Sequence, residues 1–174
     1  MRSATHSAVI VAIPATEEAV AAQRAQFDKA AGWGVPAHVT VLYPFMSPSD
    51  IDDSVIEALA AAAASVPSFQ ATFATTGWFG TDVLWLGPEP AGGFRTLTAA
   101  VSNAFPAYRP YGGEHDDVIP HLTVGHGVPE ARLREAEREV LPHLPIRSDI
   151  RTAALWCGAD APASWHQVAA LPLG

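Results

Sequence analysis

The chain contains one four-residue phrase twice. His38-Val39-Thr40-Val41 and His121-Leu122-Thr123-Val124 both read His-x-Thr-Val. With 7 histidines in 174 residues, roughly 0.04 matches to this pattern are expected by chance. Each copy lies in an apolar, β-branched run that reads as a strand, 37–45 and 119–124. Side chains alternate along a strand, so His38 and Thr40 share one face while Val39 and Val41 share the other. His121 and Thr123 are separated from Leu122 and Val124 in the same way. Each strand therefore gives an apolar side to a core and a His/Thr side to something else.

The segments around these strands repeat as well. A strand at 8–13 is stopped by Pro14, and Thr16 offers an N-cap to a helix that continues to 30. The glycine-containing stretch 31–35 is a loop. Ser47 or Ser49 caps a second helix reaching 66, and strands 69–79 and 82–86 turn around Gly80. The order then begins again. It runs through a helix at 94–105, a loop at 106–117, the second motif strand, a helix at 130–141 opened by Pro129, and strands at 146–157 and 164–171. We expect an α+β fold of two duplicated lobes. Each lobe is an antiparallel sheet with helices on its outer face, and a pseudo-twofold cleft separates them. Residues 1–174 form a single domain of two repeats, about 8–86 and 83–171, with the 82–86 strand serving both.

Composition narrows the functional classes. The chain is 49% apolar and 16% charged, the opposite of a disordered composition. A single cysteine, Cys157, excludes a disulfide scaffold and a cysteine-based metal site within one chain. It reads as an inert buried thiol. The net charge of −8 gives no basic face, so no extended nucleic-acid surface is expected. The longest apolar stretch, 56–66, is too short to span a membrane. The reading is a monomer in the cytoplasm, without a membrane partner.

A lone histidine on a strand is most simply a half-buried residue with satisfied hydrogen bonds. A matched pair in equivalent places is better explained by a shared site. Two imidazoles, one neutral and one protonated, can act as base and acid near neutral pH. Two threonine hydroxyls can donate hydrogen bonds to a small anionic ligand. No HExxH or carboxylate cluster suggests a metal. His38, Thr40, His121 and Thr123 are the candidate catalytic residues. Tyr43 and Phe45 follow the first motif, and either could stack on a flat ligand or pack in the core. Arg109, Tyr111 and His115 lie in the long loop before the second motif, where an arginine could reach an anionic substrate. Trp78 and Trp156 read as core, and Trp33 as either core or site. His6, His143 and His166 read as surface or capping residues, and 132–139 as a solvated helix face.

These residues carry a resemblance. The phrases His38-Val39-Thr40-Val41-Leu42-Tyr43-Pro44-Phe45 and Pro120-His121-Leu122-Thr123-Val124, with Tyr111-Gly112-Gly113 ahead of the second, are similar to the 2H phosphoesterase superfamily. That superfamily includes 2′-5′ RNA ligase-like proteins and RNA 2′,3′-cyclic phosphodiesterases. The resemblance extends over nearly the whole chain. It implies a metal-independent, cofactor-free phosphodiesterase that hydrolyses a 2′,3′-cyclic or related phosphate on a small nucleotide or RNA end. His38 and His121 would be the acid–base pair. A 2′-5′ RNA ligase or 2′-5′ phosphodiesterase activity is the alternative, and a non-catalytic nucleotide-binding module is another. The cyclic phosphodiesterase branch commonly carries an arginine two residues after the second motif. His126 stands there in this chain and is the candidate replacement as a phosphate donor.

Overall fold

The computed structural model describes residues 3–115 and 117–174. Its strands are β1 (His6–Ala12), β2 (His38–Leu42), β3 (Phe69–Phe79), β4 (Val83–Glu89), β5 (Leu122–His126), β6 (Ile146–Ile150), β7 (Thr152–Gly158) and β8 (His166–Pro172). Its helices are α1 (Glu17–Phe27), α2 (Lys29–Gly32), α3 (Asp53–Ala64), α4 (Gly92–Ala104) and α5 (Glu130–Val140). Two caps differ from expectation. The Thr16 hydroxyl donates back to the Ile13 carbonyl at 2.8 Å instead of capping α1. Asp52 caps α3 by accepting from the Val55 amide at 3.0 Å, while Ser47 and Ser49 bond each other in a preceding turn. A carboxylate one residue before the first helical turn satisfies the free amides there better than a hydroxyl already engaged upstream.

The strands form one sheet in the order β6-β3-β4-β5-β2-β1-β7-β8. All neighbours are antiparallel, and the sheet curls into two four-stranded lobes. One lobe holds β2, β1, β7 and β8 with α3 and α4 against it; the other holds β6, β3, β4 and β5 with α1 and α5. The lobes meet at a single registered pair, Val39 opposite Leu122.

The lobes are not the sequential halves. The hairpin β3–β4 leaves the lobe of β1 and β2 to pair with β5, and α1 packs on β5 while α4 packs on β2. The expected strand 146–157 is in fact two strands, broken at Arg151. Its first part pairs with β3 in one lobe, and its second part pairs with β1 in the other. Ile150 and Ala153 are both buried, at 2% and 1% exposure, so each half turns its own apolar side to a core and the chain must step between them. The apolar sides of the motif strands behave as alternation requires: Val39, Val41, Leu122 and Val124 are at most 2% exposed.

Candidate active site

The Val39–Leu122 pair places the two motifs. In an antiparallel pair, residues directly opposite point to the same face. Thr40 therefore stands across from His121, and His38 from Thr123, all four on the face away from the core. All four are half-buried, between fully buried neighbours on the same strands.

Both histidines are held in the same way. His38 Nδ1 lies 2.7 Å from the Pro36 carbonyl, and His121 Nδ1 lies 2.7 Å from the Ile119 carbonyl. A carbonyl only accepts, so Nδ1 donates in both rings and Nε2 is left for a ligand. In each case the partner precedes the histidine by two residues. A proline at or next to each partner (Pro36 itself, and Pro120 after Ile119) keeps that stretch extended.

Beyond these contacts the surroundings differ. Burial lowers the His38 pKa to about 4, opposed by the hydrogen bond to Pro36, with Arg24 adding to the depression and Asp28 opposing it. Arg24 is itself 2% exposed. It is paired with Asp28 at 2.9 Å and donates to the Val35 carbonyl at 3.1 Å, which ties α1 to the segment entering β2. His121 is also shifted down by burial, against its bond to Ile119. Its ring sits among aromatics. Phe79 meets it edge-on at 4.8 Å between centroids, Trp85 lies at 6.1 Å, and Tyr111 stacks at 6.5 Å with 21° between planes.

The Tyr111 backbone is in the left-handed region, φ 53°, where a bulky residue costs on the order of 1–2 kcal/mol. The Tyr111 amide donates to the Tyr43 carbonyl at 2.6 Å, which docks the loop on the end of β2. Burial raises the phenol's pKa, and Thr40 opposes the shift. Strain of this kind is retained where the surroundings over-determine it, as at ligand clamps.

Two cavities adjoin the motifs, and Thr40 lines both. One, about 330 Å³, is bounded by Arg95, Thr98, Arg109, Gly113 and His115 as well as Thr40. Arg95 is paired with Asp117 at 2.6 Å, whereas Arg109 makes no ion pair among the described residues. The second, about 160 Å³, is bounded by Trp33, Tyr43, Trp156 and Trp165 together with His38 and Thr40.

The other sequence candidates fall in different places. Phe45 is 7% exposed and packs edge-on to Phe105 and Tyr108 at 5.1 and 5.2 Å, so its ring belongs to the core. His126 is exposed at the end of β5, opposite Val83, and lines neither cavity among the described residues. Two arginines, Arg109 of the loop and Arg95 of α4, line the larger cavity with Thr40. Trp156 packs on the buried cluster of Ala8, Ile10 and Val35, and it also lines the smaller cavity. Trp78 does pack on the core, with its indole donating to Glu137 at 3.0 Å.

Phe79, Trp85, Arg95 and Trp165 were not found from the sequence. A usable signal was Gly77 inside a strand: it pairs with Trp85, and a Cβ there would lie 2.3 Å from the Trp85 ring, too close to be tolerated. Gly158 leaves room for Trp165 in the same manner. An interior strand glycine often marks such a close approach.

A family model described as the 2′-5′ RNA ligase superfamily matches residues 13–160. The chain belongs to this superfamily. The superfamily is the 2H phosphoesterase group that the two motifs resemble, and membership supports an enzyme of that kind. Among solved structures, apo Escherichia coli LigT superposes with a TM-score of 0.61 at 19% identity, covering 99% of each chain. LigT in complex with NADP+ gives 0.60 at 16% identity over 99% of each chain. TT0787 of Thermus thermophilus gives 0.58 at 16% identity, over 96% of this chain and 97% of that one. At these identities the likeness is one of fold. No curated protein sequence matches the chain. Among the described residues no helix is long and apolar enough to cross a membrane, and no three His, Cys, Asp or Glu cluster as metal ligands.

Proposed function

We propose that this enzyme hydrolyses a 2′,3′-cyclic or closely related cyclic phosphate on a small nucleotide or RNA end, by two-histidine acid–base chemistry without a metal. The observation that carries the reading is the pair of motifs brought together at Val39–Leu122, with both imidazoles held by Nδ1 so that both Nε2 atoms serve the substrate. One Nε2 takes a proton from water as its oxygen bonds to phosphorus. The other, protonated, gives its proton to the ribose oxygen as that P–O bond breaks, leaving a phosphomonoester. Thr40 and Thr123 donate to the nonbridging oxygens, where charge develops. Both histidines favour the neutral form, and the negative charge of a bound cyclic phosphate raises the pKa of the nearby ring that must act as acid. Arg109 supplies a guanidinium on the Thr40 side, and Tyr111 steadies the His121 ring.

LigT has been crystallised with 3′-AMP, ATP and phosphate, which supports a small phosphorylated nucleotide as the ligand here. The superfamily's description favours one further reaction at the same groups. A ribose hydroxyl attacking in place of water opens the ring to a 2′-5′ linkage, and the reverse step cleaves it.

The test is hydrolysis of the four nucleoside 2′,3′-cyclic monophosphates in EDTA, with product regiochemistry read by chromatography. Turnover to one regioisomer is expected, falling by about 10²–10⁴-fold in His38→Ala and in His121→Ala. Full activity in either variant, or dependence of the wild type on added metal, overturns the scheme.

A further inference from the structure

We propose that the 160 Å³ cavity beside His38 is the seat of the substrate's nucleobase, and that Trp33, Tyr43, Trp156 and Trp165 select base-bearing substrates. The inference rests on the phosphoesterase reading for what the occupant is attached to.

The cavity walls are built from separate parts of the fold. Trp33 follows α2, Tyr43 follows β2, Trp156 lies on β7, and Trp165 precedes β8. The Trp33 and Trp165 segments are joined by Trp165 N–H to Trp33 carbonyl at 2.9 Å and Ala163 N–H to Gly32 carbonyl at 3.0 Å. Gly158 leaves the space that the Trp165 ring fills. Ala8, Ile10 and Val35, at most 7% exposed, form the apolar base on which Trp156 and Trp165 pack. Four aromatic residues, three of them tryptophans, around a space of this size suit one planar ring system.

The cavity opens onto the reaction groups, because His38 and Thr40 complete its lining. A ring seated there is joined to the reacting phosphate by no more than a sugar.

The experiment compares a nucleoside 2′,3′-cyclic phosphate with glycerol 1,2-cyclic phosphate, which has the ring phosphate and no base. The readout is the ratio of their kcat/KM values. Trp33→Leu is expected to reduce the wild-type preference about tenfold, through KM of the nucleotide, as befits loss of one stacking partner. Trp33→Phe should restore most of it. Trp165→Leu provides a second variant from another wall. A binding measurement runs in parallel: calorimetric titration of adenosine 3′-monophosphate and of glycerol 2-phosphate. The base should tighten binding at least about tenfold in the wild type and less in Trp33→Leu. Base-dependent affinity without turnover would sink the phosphoesterase reading and leave the base site standing. Turnover with equal affinity for both ligands, or a preference unchanged in both leucine variants, would overturn the base site alone.

Discussion

His38 and His121 make the same backbone hydrogen bond, yet they titrate against different neighbours. His38 holds its proton with a pKa of about 4 in the folded protein, against about 6.5 in an unfolded chain. Between those values the unfolded chain carries more protons than the folded one. Stability therefore rises with pH across that window, and is lost as pH falls from about 6.5 toward 4. His121 is displaced in the same direction, so its contribution has the same sign. The thermal midpoint of the ligand-free protein should drop between pH 7 and pH 5, and the drop should be smaller in His38→Gln. A midpoint that is flat over this range, or a slope unaltered by the substitution, would show that burial does not govern the His38 proton. Arg24 sharpens the expectation. Its charge, anchored by Asp28 and by the Val35 carbonyl, faces the same segment and disfavours imidazolium at His38.

At the level of elements, the glycine-on-tryptophan contacts explain how strands carry the site. Trp85 on β4 supports the His121 ring, and Gly77 on β3 is the residue whose missing side chain makes room for it. Gly77→Ala should drive the indole off its place. The expected cost is about 1–3 kcal/mol of stability, together with a fall in kcat from the loosened imidazole. Gly32→Ala, where an added methyl meets nothing within 4 Å, is the comparison and should change neither. Equal effects of the two substitutions, by thermal denaturation and by turnover, would disprove the account. These contacts also show where sequence reasoning stops. Alternation alone placed His38 and Thr40 opposite Val39 and Val41, because that is local geometry. The repeat put the second motif in an equivalent strand. What alternation cannot give is which strand lies beside which, and Phe79, Trp85 and Trp165 reach the site only through cross-strand register. Arg95 reaches it from a helix of the other sequential half. The break at Arg151 was hidden for the same reason: 146–157 contains no Gly or Pro to mark a turn, and only tertiary pairing divides it between two lobes.

That division governs how the whole molecule should unfold. The lobe of β1 and β2 is completed by β7, β8, α3 and α4, and the lobe of β5 is completed by β3, β4, β6, α1 and α5. The strands pass from one lobe to the other between β2 and β3 and again at Arg151, and α1 and α4 each pack on the lobe their flanking strands do not belong to, so neither lobe can be assembled from a contiguous stretch. Helix α1, which is made early, buries its face on β5, which is made late. The Gly174 carbonyl accepts from the Ser68 amide at 2.7 Å, joining the segment after β8 to the one entering β3. A structure wired in this way, with one buried cluster drawn from both lobes, unfolds as a unit. Calorimetric unfolding should be a single transition whose van't Hoff and calorimetric enthalpies agree. Fragments cut between β4 and α4, expressed separately, should each remain unfolded, because β1 and β2 would lack β7 and β5 would lack β3–β4. Two resolved transitions, or a folded fragment by amide dispersion in an NMR spectrum, would show that the lobes are independent. The site would not survive such independence. His38 and His121 come from different lobes and are held in register by one residue pair, so the distance between their Nε2 atoms is only as fixed as the packing of the two lobes on each other.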